Sequence, residues 1–156
     1  MRLLLWRTLT ALEDTQALAR VALPLFPKGS LVVLEGPLGA GKTTFVRFLA
    51  EALGFQGRVT SPSYTLVHTY PTPEGPLVHA DLYRLKDPTL FLPQLEASRE
   101  GARLLLVEWG NPEALEADFL LRLLPKGEMR QAELWQLHPS QEEGIQQGLP
   151  ASPPGE

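Results

Sequence analysis

The sequence predicts an α/β domain organised around one buried parallel strand, and three observations carry that expectation. "LVVLE" (residues 31–35) is nearly continuous aliphatic, the composition of a strand covered on both faces. "LVVLEGPLGAGKTTFVRFLAEALG", Leu31 to Gly54, runs from that strand through a glycine-rich loop into an amphipathic helix. "RLLLVEWG" supplies a second strongly buried strand.

The remaining elements follow in chain order. "RLLLWRT" suits a strand, and "TALE" (Thr10 to Glu13) is a Thr-x-x-Glu capping box that opens a helix through about Leu25. Leu12, Leu18, Ala19, Ala22 and Leu25 form its apolar face, and "PKG" (Pro27 to Gly29) ends it. In the helix after the loop, Phe45, Phe48, Leu49, Ala52 and Leu53 share a stripe while Arg47 and Glu51 stay outside, with Gly54 as C-cap. "TLVHTY" and "PLVHADLY" flank "PTPEG" and read as a hairpin. "KDPTLFLPQLEAS" reads as a short helix limited by Pro93. "FLLRLL" and "AELWQLH", separated by "PKGEMRQ", form a closing C-terminal β-hairpin. The polar segment 140–156 is expected to be a disordered tail, leaving one domain over residues 1–139.

Composition narrows the function classes. The 156 residues fit a single domain, and no apolar run approaches the roughly 20 residues that span a bilayer. "MRLLLWRTLTALEDTQ" is too short in apolar content for a secretory leader, so a cytoplasmic location is expected. The absence of cysteine removes disulfides, thiolate catalysis and cysteine metal sites. A net charge of −4 argues against a broad basic surface for unaided nucleic-acid binding. Fifteen Pro, two Met and no Cys match compositions of heat-tolerant proteins, or a lineage bias.

Gly36, Gly41, Lys42 and Thr43 have the spacing G-x-x-x-x-G-K-[ST] of a P-loop. A phosphate chain needs several N–H donors pointing inward from a tightly curved backbone, and side chains at Gly36, Gly39 and Gly41 would obstruct that curvature. The helix dipole adds positive potential, Lys42 supplies a mobile ammonium for the β/γ-phosphates, and the Thr43 hydroxyl is a ligand for Mg²⁺. By average residue usage, the match arises by chance in well under roughly 1% of chains this long.

A P-loop also requires an acid at the end of a neighbouring strand. Glu108 ends "RLLLVE", and Asp81 follows the apolar stretch of "LVHAD"; the two compete for one role. Thr60, Ser61, Ser63 and Thr65 around Pro62 are either an ordinary turn or a switch-like segment offering hydroxyls to Mg²⁺, the γ-phosphate or attacking water. His68, His79 and His138 lack metal-ligand spacing and read as structural.

In this order, "GPLGAGKTTFVR", "TSPSYTLVHTY", "HADLYRL" and "LLLVEW" closely resemble the TsaE family, bacterial ATPases that support threonylcarbamoyl-adenosine formation in tRNA. The resemblance covers about residues 8 to 138. It implies a three-layer P-loop NTPase-type α/β fold with a mixed, mainly parallel central sheet. It further implies that Gly36 to Thr44, including Leu38, Gly39, Ala40, Gly41 and Lys42, wrap the phosphates of ATP or ADP. Thr43 and Glu108 would hold Mg²⁺, Asp81 would lie near the metal and γ-phosphate, and Lys42, Asp81 and Glu108 would form the catalytic set. Trp109 would lie beside the nucleotide, with Arg130 nearby and Thr10 close to the adenine. Pro37 replaces a usual Asp and Ser63 a usual Thr; neither change removes a necessary phosphate donor.

As the resemblance implies it, the role is to hydrolyse ATP while docked on the threonylcarbamoyl-transfer complex, with partners of the TsaB and TsaD type. RNA would be reached only through those partners, and no membrane is involved. Two other classes share the loop: a small-molecule kinase, which should carry an arginine-rich lid where residues 112–125 hold only Arg122, and a nucleotide-binding module without hydrolysis. With no arginine-rich segment to cover the γ-phosphate, the isolated chain is expected to be a slow ATPase, Arg84 and Arg130 being its internal candidates for that charge.

Overall fold

A computed structural model describes residues 1–60, 67–83 and 85–138. Ser61, Ser63 and Thr65 of the hydroxyl cluster, Arg84, and the segment 140–156 lie outside the described residues.

The chain opens with β1 (Arg2–Leu9) and α1 (Leu12–Ala22), which a 3₁₀ turn at Leu23–Leu25 extends. The helix start differs from expectation by one position. Asp14, not Glu13, reaches back, accepting the Thr10 N–H and hydroxyl, each at 2.8 Å, and the Ala11 N–H at 3.0 Å. Ala11 is the N-cap, so the acid three residues later is Asp14. Leu12, at the first position of α1, and Leu25, in the 3₁₀ turn beyond it, are exposed, while Thr15, Leu18, Ala19 and Ala22 are buried.

The central strand is β2 (Ser30–Glu35), followed by the glycine-rich loop and α2 (Lys42–Ala52). Phe45, Val46, Leu49 and Ala50 bury one face of α2; Ala52 is exposed and Phe48 half-buried, so the stripe is rotated from the one expected. Each fully buried large side chain contributes about 1.5–3 kcal/mol, enough for Phe45 and Leu49 to anchor the helix start against the sheet. Gly54, at φ +94°, ends α2: its N–H donates to the Glu51 carbonyl and the Phe55 N–H to that of Ala50.

Next come the antiparallel pair β3 (Val67–Tyr70) and β4 (Leu77–Asp81), then a 3₁₀ turn at Pro88–Phe91 and α3 (Leu92–Arg99). Pro93 lies in the first turn of α3, where its missing N–H has no helical partner to lose. It therefore starts the helix rather than limiting it. After β5 (Leu104–Glu108), β6 (Phe119–Lys126) and β7 (Met129–Gln136) form the closing hairpin. Only Gly127 and Glu128 separate these strands, so pairing runs further into "PKGEMRQ" than its composition indicates.

All seven strands form one sheet in the order β1-β7-β6-β2-β5-β4-β3. Its centre, β6-β2-β5-β4, is parallel. The outer pairings are antiparallel, so the sheet is mixed and its parallel character is confined to the middle. One core packs α1 and α2 against Val32, Leu34, Leu104 and Leu106, and the other packs α3 against Leu31, Val33, Leu105 and Val107. The architecture is thus helix, sheet, helix. Because β2, β4 and β5 point the same way, their last residues, Glu35, Asp81 and Glu108, share one sheet edge, from which the loop and α2 leave.

Among the described residues, no helix is long and apolar enough to cross a membrane.

Candidate active site

The loop between β2 and α2 bends where glycine is required. A Cβ on Gly36 would lie 2.7 Å from the Leu123 carbonyl oxygen, which leaves no space for any other residue. Gly41 has φ +101°, and its Cβ would meet Arg130 Nη1 at 2.7 Å. Arg130, on β7, donates to the Ala40 carbonyl at 3.1 Å and so ties the loop to the closing hairpin. Ala40 itself is buried.

Lys42 opens α2 yet is only 5% exposed. Its Nζ donates to the Gly36 carbonyl at 2.6 Å, lies 3.6 Å from Glu108 Oε1 and sits 4.2 Å from the centre of the Trp109 ring. Such a side chain has a cation's charge held by one carbonyl, one carboxylate and one aromatic face, all of them near the loop. Trp109 adopts φ +60°, a conformation disfavoured for a bulky residue, immediately after Glu108. That bend directs its ring over Lys42 and 5.0 Å from the Tyr83 ring.

The two acids arrive from adjacent parallel strands in direct register, Asp81 on β4 opposite Glu108 on β5. Both are buried, at 6% and 5% exposure. Asp81 Oδ1 accepts the Tyr83 N–H at 2.9 Å, an Asx-type contact that turns the chain after β4. Glu108 uses both oxygens: Oε1 faces Lys42, and Oε2 lies 2.5 Å from His79 Nε2. His79 is fully buried, two residues before Asp81 on the same strand face. Burial is expected for a structural histidine, but its contact with Glu108 brings it into the site.

Leu38, Gly39, Gly41, Lys42, Thr43, Thr44, Asp81, Glu108, Trp109 and Arg130 together line a cleft of about 330 Å³. Ten of the thirteen residues singled out from the sequence therefore share one cavity. Gly36 and Ala40 act behind it through their carbonyls. Thr10 does not line it; it follows Leu9, the β1 partner of Arg130, and its hydroxyl is engaged by Asp14. A larger, mainly apolar cavity of about 660 Å³ adjoins, sharing Lys42 and Trp109 and reaching Leu34, Pro37, Asn111 and Leu124. Among the described residues, no group of three His, Cys, Asp or Glu side chains is placed to hold a metal unaided. The side chains lining the cleft that carry oxygen are the hydroxyl residues Thr43 and Thr44 and the carboxylates Asp81 and Glu108.

Sequence reasoning assigned His79 a structural role only and did not single out Tyr83. The signal for His79 was available: in "HAD", strand alternation sets it on the face of Asp81.

The chain is similar to known proteins over most of its length. A sequence model of the family described as "Threonylcarbamoyl adenosine biosynthesis protein TsaE" matches residues 9–133. A protein of Bacillus subtilis (strain 168), called "tRNA threonylcarbamoyladenosine biosynthesis protein TsaE", is 40% identical over 111 residues, covering 71% of this chain and 69% of that one. A protein of the same name from Aquifex aeolicus (strain VF5) is 44% identical over 99 residues, covering 62% and 70%. A solved structure described as "Crystal structure of Bacillus subtilus YdiB" superimposes with a TM-score of 0.66 at 26% identity, covering 90% of this chain and 89% of the other.

Proposed function

We propose that this chain, which belongs to the TsaE family of tRNA threonylcarbamoyladenosine biosynthesis, is a Mg²⁺-dependent P-loop ATPase working in that pathway. The observation that carries the reading is the meeting of Lys42, Thr43, Asp81 and Glu108 in one cleft, at the edge where a glycine-rich loop opens a helix. Loop N–H groups and the α2 N-terminus suit a phosphate chain. Lys42 exchanges the Gly36 carbonyl and Glu108 for phosphate oxygens, a short movement of an ammonium already at the loop.

The oxygen donors fit Mg²⁺, which takes a few protein oxygens and completes its octahedron with phosphate and water. Thr43 and Glu108 would hold it, and when bound it neutralises charge developing on the phosphates. Asp81, fixed through Tyr83 N–H, is positioned to orient the attacking water. Arg130 steadies the loop through Ala40 and lies near enough to face the phosphates. Trp109 flanks the nucleotide, whereas nothing beyond proximity to Arg130's strand supports Thr10 as an adenine contact.

We place the output in partner proteins of the TsaB and TsaD type, with tRNA reached only through them and the work done in the cytoplasm. The test is steady-state phosphate release from the purified chain, alone and with those partners and tRNA. Turnover well below about 10 s⁻¹ alone and a rise on adding partners is expected; about 10 s⁻¹ alone, unchanged by partners, rejects the partner-gated reading. The adjoining apolar cavity gives a kinase reading a place for an acceptor. Label from γ-³²P-ATP recovered as free phosphate supports the hydrolase, and label on a small molecule supports the kinase.

A further inference from the structure

Glu108 has two neighbours of different kinds. Lys42 approaches Oε1 at 3.6 Å from a flexible stem, while His79 Nε2 meets Oε2 at 2.5 Å from a ring that is wholly enclosed. On β4, His79 stands in register with Leu106 of β5 and with His68 of β3, inside the sheet rather than at its rim. It has no room to leave its acceptor. The contact also defines the ring's proton. A bare Nε2 would set its lone pair against those of a carboxylate, so Nε2 carries the hydrogen and donates. The other nitrogen, Nδ1, is buried and has no hydrogen-bond partner among the described residues. A histidine present only to fill space would not need one ring nitrogen committed to a catalytic-edge carboxylate while the other goes unmet, an arrangement that costs stability.

We infer that His79 is a positioning residue: its Nε2–H pins Glu108 Oε2, so that Glu108 offers the cleft a single oxygen, Oε1. The inference rests on the nucleotide and Mg²⁺ reading above. When Lys42 turns to phosphate, Glu108 loses one partner and keeps the other. A buried carboxylate left to rotate would be free to present either oxygen or both; held at Oε2, it presents Oε1 on the side of Lys42, in the cleft that Thr43 also lines. Metal-site carboxylates are commonly oriented in this way, and removing the orienting partner typically costs about 10- to 100-fold in metal affinity.

Two variants and one spectroscopic measurement test it. His79→Leu keeps an apolar volume and removes the donor; His79→Gln returns an N–H near the position of Nε2. Binding of a non-hydrolysable ATP analogue is measured by calorimetry with and without Mg²⁺. The wild-type chain is expected to bind more tightly with Mg²⁺. His79→Leu should lose about tenfold or more of that enhancement while its Mg²⁺-free affinity stays unchanged, and His79→Gln should recover most of it. In the unmodified protein, ¹⁵N–¹H correlation of the imidazole, assigned by its loss in His79→Gln, should show a protonated Nε2 and a bare Nδ1.

Full Mg²⁺ enhancement in His79→Leu, an equal loss of affinity with and without Mg²⁺, or a proton on Nδ1 alone overturns the inference. If the wild-type chain shows no Mg²⁺-dependent binding, the reading of the site fails and takes the inference with it. The imidazole spectrum needs neither nucleotide nor metal, so it distinguishes a wrong site reading from a wrong account of His79.

Discussion

Replacing Lys42 with alanine tests the loop and the packing around it at once. A lysine that merely faced a ligand would leave the fold unchanged when removed, but Lys42 is 5% exposed and makes three contacts. Its charged hydrogen bond to the Gly36 carbonyl, at 2.6 Å, is worth about 1.5–3 kcal/mol. Its position 4.2 Å from the Trp109 ring adds about 0.5–2 kcal/mol. Truncation removes the cost of holding the Lys42 charge out of water but leaves Glu108 buried with His79 as its remaining partner, and these two effects on the 3.6 Å pairing oppose one another. The net loss expected is about 2–5 kcal/mol, a fall in melting temperature of roughly 4–20 °C for a domain of this size. Nucleotide affinity should fall as well. Loss of a charged contact of about 1.5–3 kcal/mol to phosphate corresponds to about 10- to 150-fold. Scanning calorimetry gives the first quantity and titration with a non-hydrolysable ATP analogue the second. Unchanged affinity would refute the assignment of the loop; a raised melting temperature would refute the contact accounting, because desolvation would then outweigh all three partners.

Three further outcomes are expected. Glu108→Ala and Asp81→Ala should both lose turnover, but only Glu108→Ala should lose the Mg²⁺ dependence of nucleotide binding; if it keeps that dependence and full turnover, Asp81 takes the metal role. At the start of α1, the Thr10 N–H, the Thr10 hydroxyl and the Ala11 N–H hold the Asp14 carboxyl below its ordinary value, and the folded-state depression fixes the sign of the pH effect. The stability advantage over Asp14→Asn should be full above the unfolded value of about 3.9, shrink below it, and vanish as pH falls through the lower folded value; an advantage that persists in strong acid would refute the cause. Trp109→Gly should be more stable than Trp109→Ala by about 1 kcal/mol, since only glycine adopts φ +60° freely; equal melting temperatures would show that the backbone there carries no strain.

The elements legible in the sequence were those where one local signal dominated. "LVVLE" and "LLLVE" are aliphatic throughout because each has strands on both sides and helices on both faces, and no other environment asks for that composition. Helix faces were legible only to within a residue or two. Leu12 and Leu25 were read as part of the buried side of α1, but Leu12 stands at the helix's first position and Leu25 in the 3₁₀ turn after it, and both are exposed. Strand order was not legible, since nothing local to β1 says that it pairs with β7, the most distant strand in the chain. The two hairpins were legible from their turn segments, and they give the mixed sheet its antiparallel pairs β3–β4 and β6–β7 beside a parallel centre.

The candidate site was legible to the extent that its residues carry charge or lack a side chain. Gly36, Gly41, Lys42, Thr43, Asp81 and Glu108 each stand out by type and spacing, and the fold brings all but Gly36, which lines the adjoining cavity, to one cleft. What type and spacing do not carry is pairing between distant segments. Asp81 and Glu108 are 27 positions apart in sequence, and only the β4–β5 register sets them side by side. His79 illustrates the same limit more sharply. Its residue type allows a core histidine, a ligand or a catalytic group, and those readings separate only when β5 delivers a carboxylate to within 2.5 Å of one nitrogen while no described residue bonds the other. Asp81 and His79, two residues apart on one strand face, then divide the work of a single sheet edge: one acid is left facing the cleft, while the histidine holds the neighbouring acid from behind.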